Sequence, residues 1–76
     1  MVTAYVMVKA LSGDADRIKQ DIEAVDGVEH VHIVAGDVDL IAKLQVETPA
    51  DVKEIAANGI HNVDGVDSTQ TYIAME

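Results

Sequence analysis

The 76-residue chain contains no cysteine, no tryptophan and no phenylalanine, has a single proline, and sets only five Lys and Arg against 14 Asp and Glu. Without cysteine there are no disulfides, no thiolate metal ligands and no cysteine nucleophile, and nothing marks an oxidising compartment. Without the large aromatics, the 49% of residues that are hydrophobic must build a core from Val, Ile, Leu and Ala, each of which buries modest area. A chain this short forms one domain at most, here spanning residues 1–76, and a small aliphatic core makes self-association its natural supplement. The shortage of cations leaves a formal net charge of −9, which opposes the phosphate backbone and predicts no direct DNA binding. The acidity serves solubility and suits a salt-rich cytoplasm, where screening relieves the self-repulsion. No basic leader and no long apolar run is present, so the expectation is a cytoplasmic protein with no membrane association.

What is present is periodic. Val2, Ala4, Val6, Val8 and Ala10 alternate with Thr3, Tyr5, Met7 and Lys9, the period of a half-buried strand. In "SGDADRIKQDIEAVDG", Ala15, Ile18, Ile22 and Val25 recur at helical spacing, Ser12 or Asp14 can cap the start, and Gly27 can end the helix. A β-rich run, "VEHVHIVA", turns at Gly36 and Asp37 into "VDLIAKLQVE", where Val38, Leu40, Ala42, Leu44 and Val46 share one side. Thr48, Pro49 and Asp51 carry the signature of a helix start, and Val52, Ile55, Ala56, Ile60 and Val63 form the apolar stripe of a second helix. Gly65 closes it, and "VDSTQTYIAM" reads as a last strand.

The order is β-α-β-β-α-β, and it contains a repeat. Val-Asp-Gly-Val occurs at Val25 and again at Val63, 38 positions apart, each time where a helix hands over to a strand. Two βαβ halves interleave into the ferredoxin-like α+β arrangement: a four-stranded antiparallel sheet, strands one and three central, both helices on one face. The opposite face then presents Tyr5, Met7, Ile41, Lys43 and Gln45, too apolar for solvent alone, and is expected to pack on a second subunit through Tyr5, Met7 and Ile41.

Three groups of side chains bear on chemistry. His30 and His32 share a strand face and could offer two nitrogens to a metal, with His61 a conceivable third; with no further ligands the ordinary reading is a strand pair, and no metal or cofactor is expected. Asp37 reads as a turn former, whereas Asp39, placed at the start of a strand that disfavours Asp, is less ordinary. Thr69 and Thr71 set two hydroxyls on one face of the last strand, although threonine also favours strands for its own sake. No nucleophile triad, glycine-rich phosphate loop or aromatic nucleic-acid platform occurs, so no catalytic residue is expected.

From Ala35 onward, the hairpin Gly36-x-x-Asp39, a polar second helix, Asp64-Gly65-Val66 and the final Thr69-x-Thr71 resemble the effector-binding (RAM) domain of the Lrp/AsnC regulators. The resemblance covers essentially the whole chain; the family's Pro-Gly-Val appears here with Asp64 in place of proline. It implies sheet-to-sheet dimers, of the dimeric α+β barrel type, that build tetramers or octamers, and amino acid effectors bound in clefts between dimers. By the same resemblance Gly36 would let the backbone approach the ligand, Asp39 would order the hairpin or meet the ammonium, and Thr69 and Thr71 would bond the polar end. Strand one begins at residue 2, so the expectation is a stand-alone form lacking the helix-turn-helix half, which acts by oligomerising or co-assembling with full-length regulators. Two alternatives stay open: a small dimeric monooxygenase-like enzyme using His30 and His32, and a ligand-free oligomerisation module.

Overall fold

A computed structural model of the chain describes residues 1–11 and 13–75. Strand β1 runs over Val2–Ala10, helix α1 over Ala15–Glu23, β2 over Val28–Ile33, β3 over Leu40–Val46, helix α2 over Pro49–Glu54 and β4 over Val66–Ile73. The antiparallel sheet has the order β2-β3-β1-β4. The two central strands are therefore β1 and β3, as the interleaved halves require.

The alternation in the sequence becomes a buried face. Ala4, Val6 and Val8 of β1 lie opposite Leu44, Ala42 and Leu40 of β3, and all six are fully buried. Ile18 and Ile22 of α1, Val31 of β2, Val52 of α2, Ala56 and Ile60 complete this cluster, so both helices pack on one side of the sheet. Ile18 and Ile22 are four apart and thus stack on one helix face.

The helix starts differ in how they are held. At α2 the Thr48 hydroxyl accepts from the Asp51 N–H at 3.2 Å, Pro49 occupies the first turn where its missing donor costs nothing, and Asp51 faces the positive end of the dipole. Asp14, at the start of α1, makes no side-chain cap. Its carboxylate lies 3.5 Å from Arg17 Nε instead, an ion pair that takes the group the cap would have used. Ser12, the other candidate, lies outside the described residues.

The two Val-Asp-Gly-Val segments fold alike. Val28 N–H donates to Val25 C=O at 3.2 Å and Val66 N–H to Val63 C=O at 3.1 Å, while Gly27 and Gly65 hold φ of 95° and 96°, a region that side-chain-bearing residues avoid. Each turn delivers the chain from a helix directly into a strand.

One departure from the expected pattern is large. The second helix is α-helical only to Glu54, and Ile55–Ile60 forms a π-helical segment in which the His61 N–H donates back to Ala56 C=O at 3.0 Å. Gly59 sits inside it, where a β-carbon would lie 2.8 Å from Val25 Cγ1. The wider turn thus brings bare backbone against the loop after α1, an approach that a local propensity scale does not register. The strands also stop short of the expected runs: β2 ends at Ile33 and β3 begins at Leu40, leaving 34–39 as the connecting loop.

Candidate functional site

The hairpin loop is stitched to the end of β1 by one residue. Asp39 N–H donates to Val8 C=O at 2.9 Å, its C=O accepts from Val34 N–H at 2.9 Å, and its carboxylate Oδ2 accepts from Ala10 N–H at 2.8 Å. Ala10 follows the register shift of β1 against β4 between Lys9 and Ala10, so its N–H needs a partner outside the ladder, and Asp39 supplies a charged acceptor. The carboxylate that reads as unusual in the sequence is thus accounted for by ordering the hairpin. Gly36, three residues earlier, has nothing within 4 Å of a would-be β-carbon; its φ of 157°, not packing, is what favours glycine there.

Thr69 and Thr71 lie elsewhere. They pair with Val8 and Val6, which puts their side chains on the helix-bearing face of β4, at the edge of the sheet. Together with Ile73 they form one wall of an open groove of about 460 Å³. Pro49, Val52 and Lys53 of α2, with Ala56, Ala57 and His61, form the other wall. A second, more polar cleft of about 380 Å³ is lined by Met7, Lys9, Val38, Ser68, Thr69 and Gln70. Thr69 lines both, and Val38 ties the second cleft to the hairpin loop. The four residues expected to bind ligand therefore fall into two sets, Thr69 and Thr71 in the groove beside α2 and Gly36 with Asp39 in the loop.

On the open face, Thr3, Tyr5 and Met7 of β1 pair with Gln45, Lys43 and Ile41 of β3, and Tyr72 of β4 pairs with Tyr5. Gln45 Nε2 donates to Thr3 Oγ1 at 2.8 Å, a polar pair bonded across the two central strands. Tyr5 is 37% and Tyr72 51% exposed, leaving two tyrosine rings on a sheet face that no helix covers.

His30 and His32 also lie on this face, opposite Lys43 and Ile41, with ring centroids 6.3 Å apart. Glu29 Oε1 stands 3.4 Å from His30 Nε2 and 3.6 Å from Lys43 Nζ. Among the described residues no group of three or more His, Cys, Asp or Glu is placed to hold a metal ion. His61 is not part of this pair but lines the groove beside α2. That groove is what sequence reasoning missed: its walls come from two separate segments, Pro49 to His61 and Thr69 to Ile73, and only the Thr69-x-Thr71 alternation hinted at it.

A ferredoxin-like sheet with ligand-sized clefts on either side of its edge strand defines a small α+β binding domain. The chain belongs to the Lrp/AsnC family: the model of its ligand-binding domain matches residues 3–76. The leucine-responsive regulatory protein of Haemophilus influenzae is 31% identical over 55 residues, which are 72% of this chain and 33% of that protein. An uncharacterised HTH-type transcriptional regulator of Pyrococcus abyssi is 29% identical over 77 residues, 97% of this chain and 51% of its own length. The chain thus spans a third to a half of these curated relatives. A Thermus thermophilus structure superposes with a TM-score of 0.93 at 25% identity, covering 100% of this chain and 95% of that one. A transcriptional regulator of Neisseria meningitidis, solved as an L-Met complex, shares the fold with a TM-score of 0.85 at 13% identity, covering 99% of this chain and 50% of that one.

Proposed function

We propose that the chain is an amino-acid-sensing domain of transcription regulation, whose effector is held with the help of Gly36, Asp39, Thr69 and Thr71. The observation that carries this reading is the match of the family's ligand-binding domain along residues 3–76. Supporting it, the backbone at Gly36 is open, with nothing within 4 Å of a would-be β-carbon, which leaves room for a ligand or a neighbouring copy to approach. The loop and the threonine groove are brought to one site by a second copy, so the cleft is completed by assembly. The open face of Tyr5, Met7 and Ile41 forms the first pairing, because covering it removes exposed apolar surface while Gln45 keeps its bond to Thr3. Such dimers assemble further, and the domain acts, without catalysis, in the cytoplasm, by joining or competing with chains that carry a DNA-binding half.

Thermal unfolding with each of the 20 amino acids tests it, methionine and leucine first. A ligand that binds only the folded state at a hundredfold excess over its Kd adds about 2.7 kcal/mol, which for a domain of this size raises Tm by roughly ten degrees or more. At least one amino acid is expected to do so in a saturable way. If none shifts the transition at millimolar concentration, while the chain still assembles, the ligand-free oligomerisation module replaces this reading.

A further inference from the structure

The chain's few cations are unevenly used. Arg17 pairs with Asp14 and Asp21, Lys19 with Glu23 and Lys43 with Glu29. Among the described residues, Lys9 and Lys53 have no carboxylate partner. Of these two ammonium groups in a chain of net charge −9, Lys53 lines the groove between α2 and β4. Not one of the residues lining that groove is an Asp or a Glu. Its polar groups are the Lys53 ammonium, the His61 imidazole and the hydroxyls of Thr69 and Thr71; its remaining surface is apolar.

We infer that this groove is a binding site for the carboxylate end of a small apolar acid. Lys53 gives the carboxylate a charge-assisted hydrogen bond, the two threonine hydroxyls and His61 supply further donors, and the aliphatic tail lies over Val52, Ala57 and Ile73. The π-helical segment builds the apolar wall: its extra residue per turn sets Ala56 and Ala57 along the groove, and the His61 N–H to Ala56 C=O bond fixes where His61 leaves the helix. A volume of about 460 Å³ falls within the range of small-molecule sites.

The specificity that follows differs from that of an amino acid site. Within a single chain an ammonium finds no acceptor acid in the groove, because its own Asp39 carboxylate is engaged with Ala10 N–H and does not line it. A branched carboxylic or 2-oxo acid therefore binds here as well as the corresponding amino acid. The proposal shares Thr69 and Thr71 with the effector reading above but does not need an amino acid to bind.

Calorimetry on the full chain with three probes decides it: 4-methylpentanoate, which has the carboxylate alone; 3-methylbutylamine, which has the ammonium alone; and L-leucine, which has both. The acid is expected to bind and the amine not to. Lys53→Gln, at an exposed position, should weaken the acid about tenfold or more through loss of the charge-assisted bond. Ala57→Leu, which fills the groove while keeping a good helix former, should abolish binding, with circular dichroism unchanged for both variants. No binding of the acid at millimolar concentration, or binding untouched by both substitutions, overturns the proposal. Leucine binding that is lost in Asp39→Asn but insensitive to Lys53→Gln, with no affinity for the acid, overturns the groove and leaves the amino acid reading standing. Acid binding that depends on Lys53, with no amino acid bound at all, does the reverse.

Discussion

Replacing Gly65 by alanine tests the most specific local claim about the fold, that the Val-Asp-Gly-Val turns need glycine for two reasons at once. The backbone at Gly65 has φ of 96°, and holding an L-residue in left-handed territory costs roughly 1–2 kcal/mol. The new methyl would also stand 2.9 Å from a guanidinium nitrogen of Arg17 and 3.0 Å from Ile18 Cδ1. Arg17 can retreat only by giving up its bonds to Asp64 C=O at 2.9 Å and to Asp21, and Ile18 is fully buried. Overpacking of this kind adds about 1–3 kcal/mol, against which the stiffer unfolded chain returns only about 0.4–1 kcal/mol. The net loss is about 1–4.5 kcal/mol, and at roughly 4–8 °C per kcal/mol for a domain of this size Tm falls by about 4 °C or more. Far-UV circular dichroism melts at one fixed protein concentration measure this, since assembly makes Tm concentration-dependent. Gly13→Ala is the control, because it has ordinary φ and open space around it; it should leave Tm unchanged or raise it slightly. A Gly65→Ala protein that melts within 2 °C or so of the wild type would refute the argument, even if every other statement about the fold held.

Other perturbations separate the roles assigned to single residues. Asp39→Ala strands the Ala10 N–H and should cost about 1–2 kcal/mol in denaturant melts, whereas Asp39→Asn retains an acceptor and should melt within a few degrees of wild type; equal losses would mean the Ala10 bond is not what stabilises the hairpin. Thr48→Ala removes the one side-chain helix cap among the described residues and should cost about 1 kcal/mol, read as a shift in the urea midpoint at constant slope. Ile41→Lys places a charge at the centre of the open face and should convert the assembled protein to monomer in light scattering; an unchanged mass would locate the pairing surface elsewhere. Purified wild-type chain should not retard duplex DNA at moderate salt, because its net charge opposes the phosphates, and a retarded band with random DNA would contradict that.

The amino-acid sequence by itself determined which residues face the core and in what order the elements follow. Alternation at Val2 to Ala10 and at Leu40 to Val46, the helical spacing of Ile18 and Ile22, and the glycines of the two repeated turns are local patterns with local causes: a strand exposes every second residue to one face, and only glycine accepts the turn's positive φ at no cost. The start of α2 was legible for the same reason, since Thr48 caps a nitrogen three residues away. The tertiary structure alone decided the rest. That Ile55–Ile60 widens into a π-helical turn, with Gly59 close against Val25, has no counterpart in the local spacing, and that Asp39 stabilises the hairpin depends on an N–H freed by a bulge in β1. Thr69 and Thr71 read as a pair, but whether they meet the hairpin or a helix was set by β4 lying at the sheet edge beside α2. Lys53 looks like any surface lysine until its neighbours are known. Such contacts join residues tens of positions apart, and their energies depend on distances that no single stretch of sequence encodes.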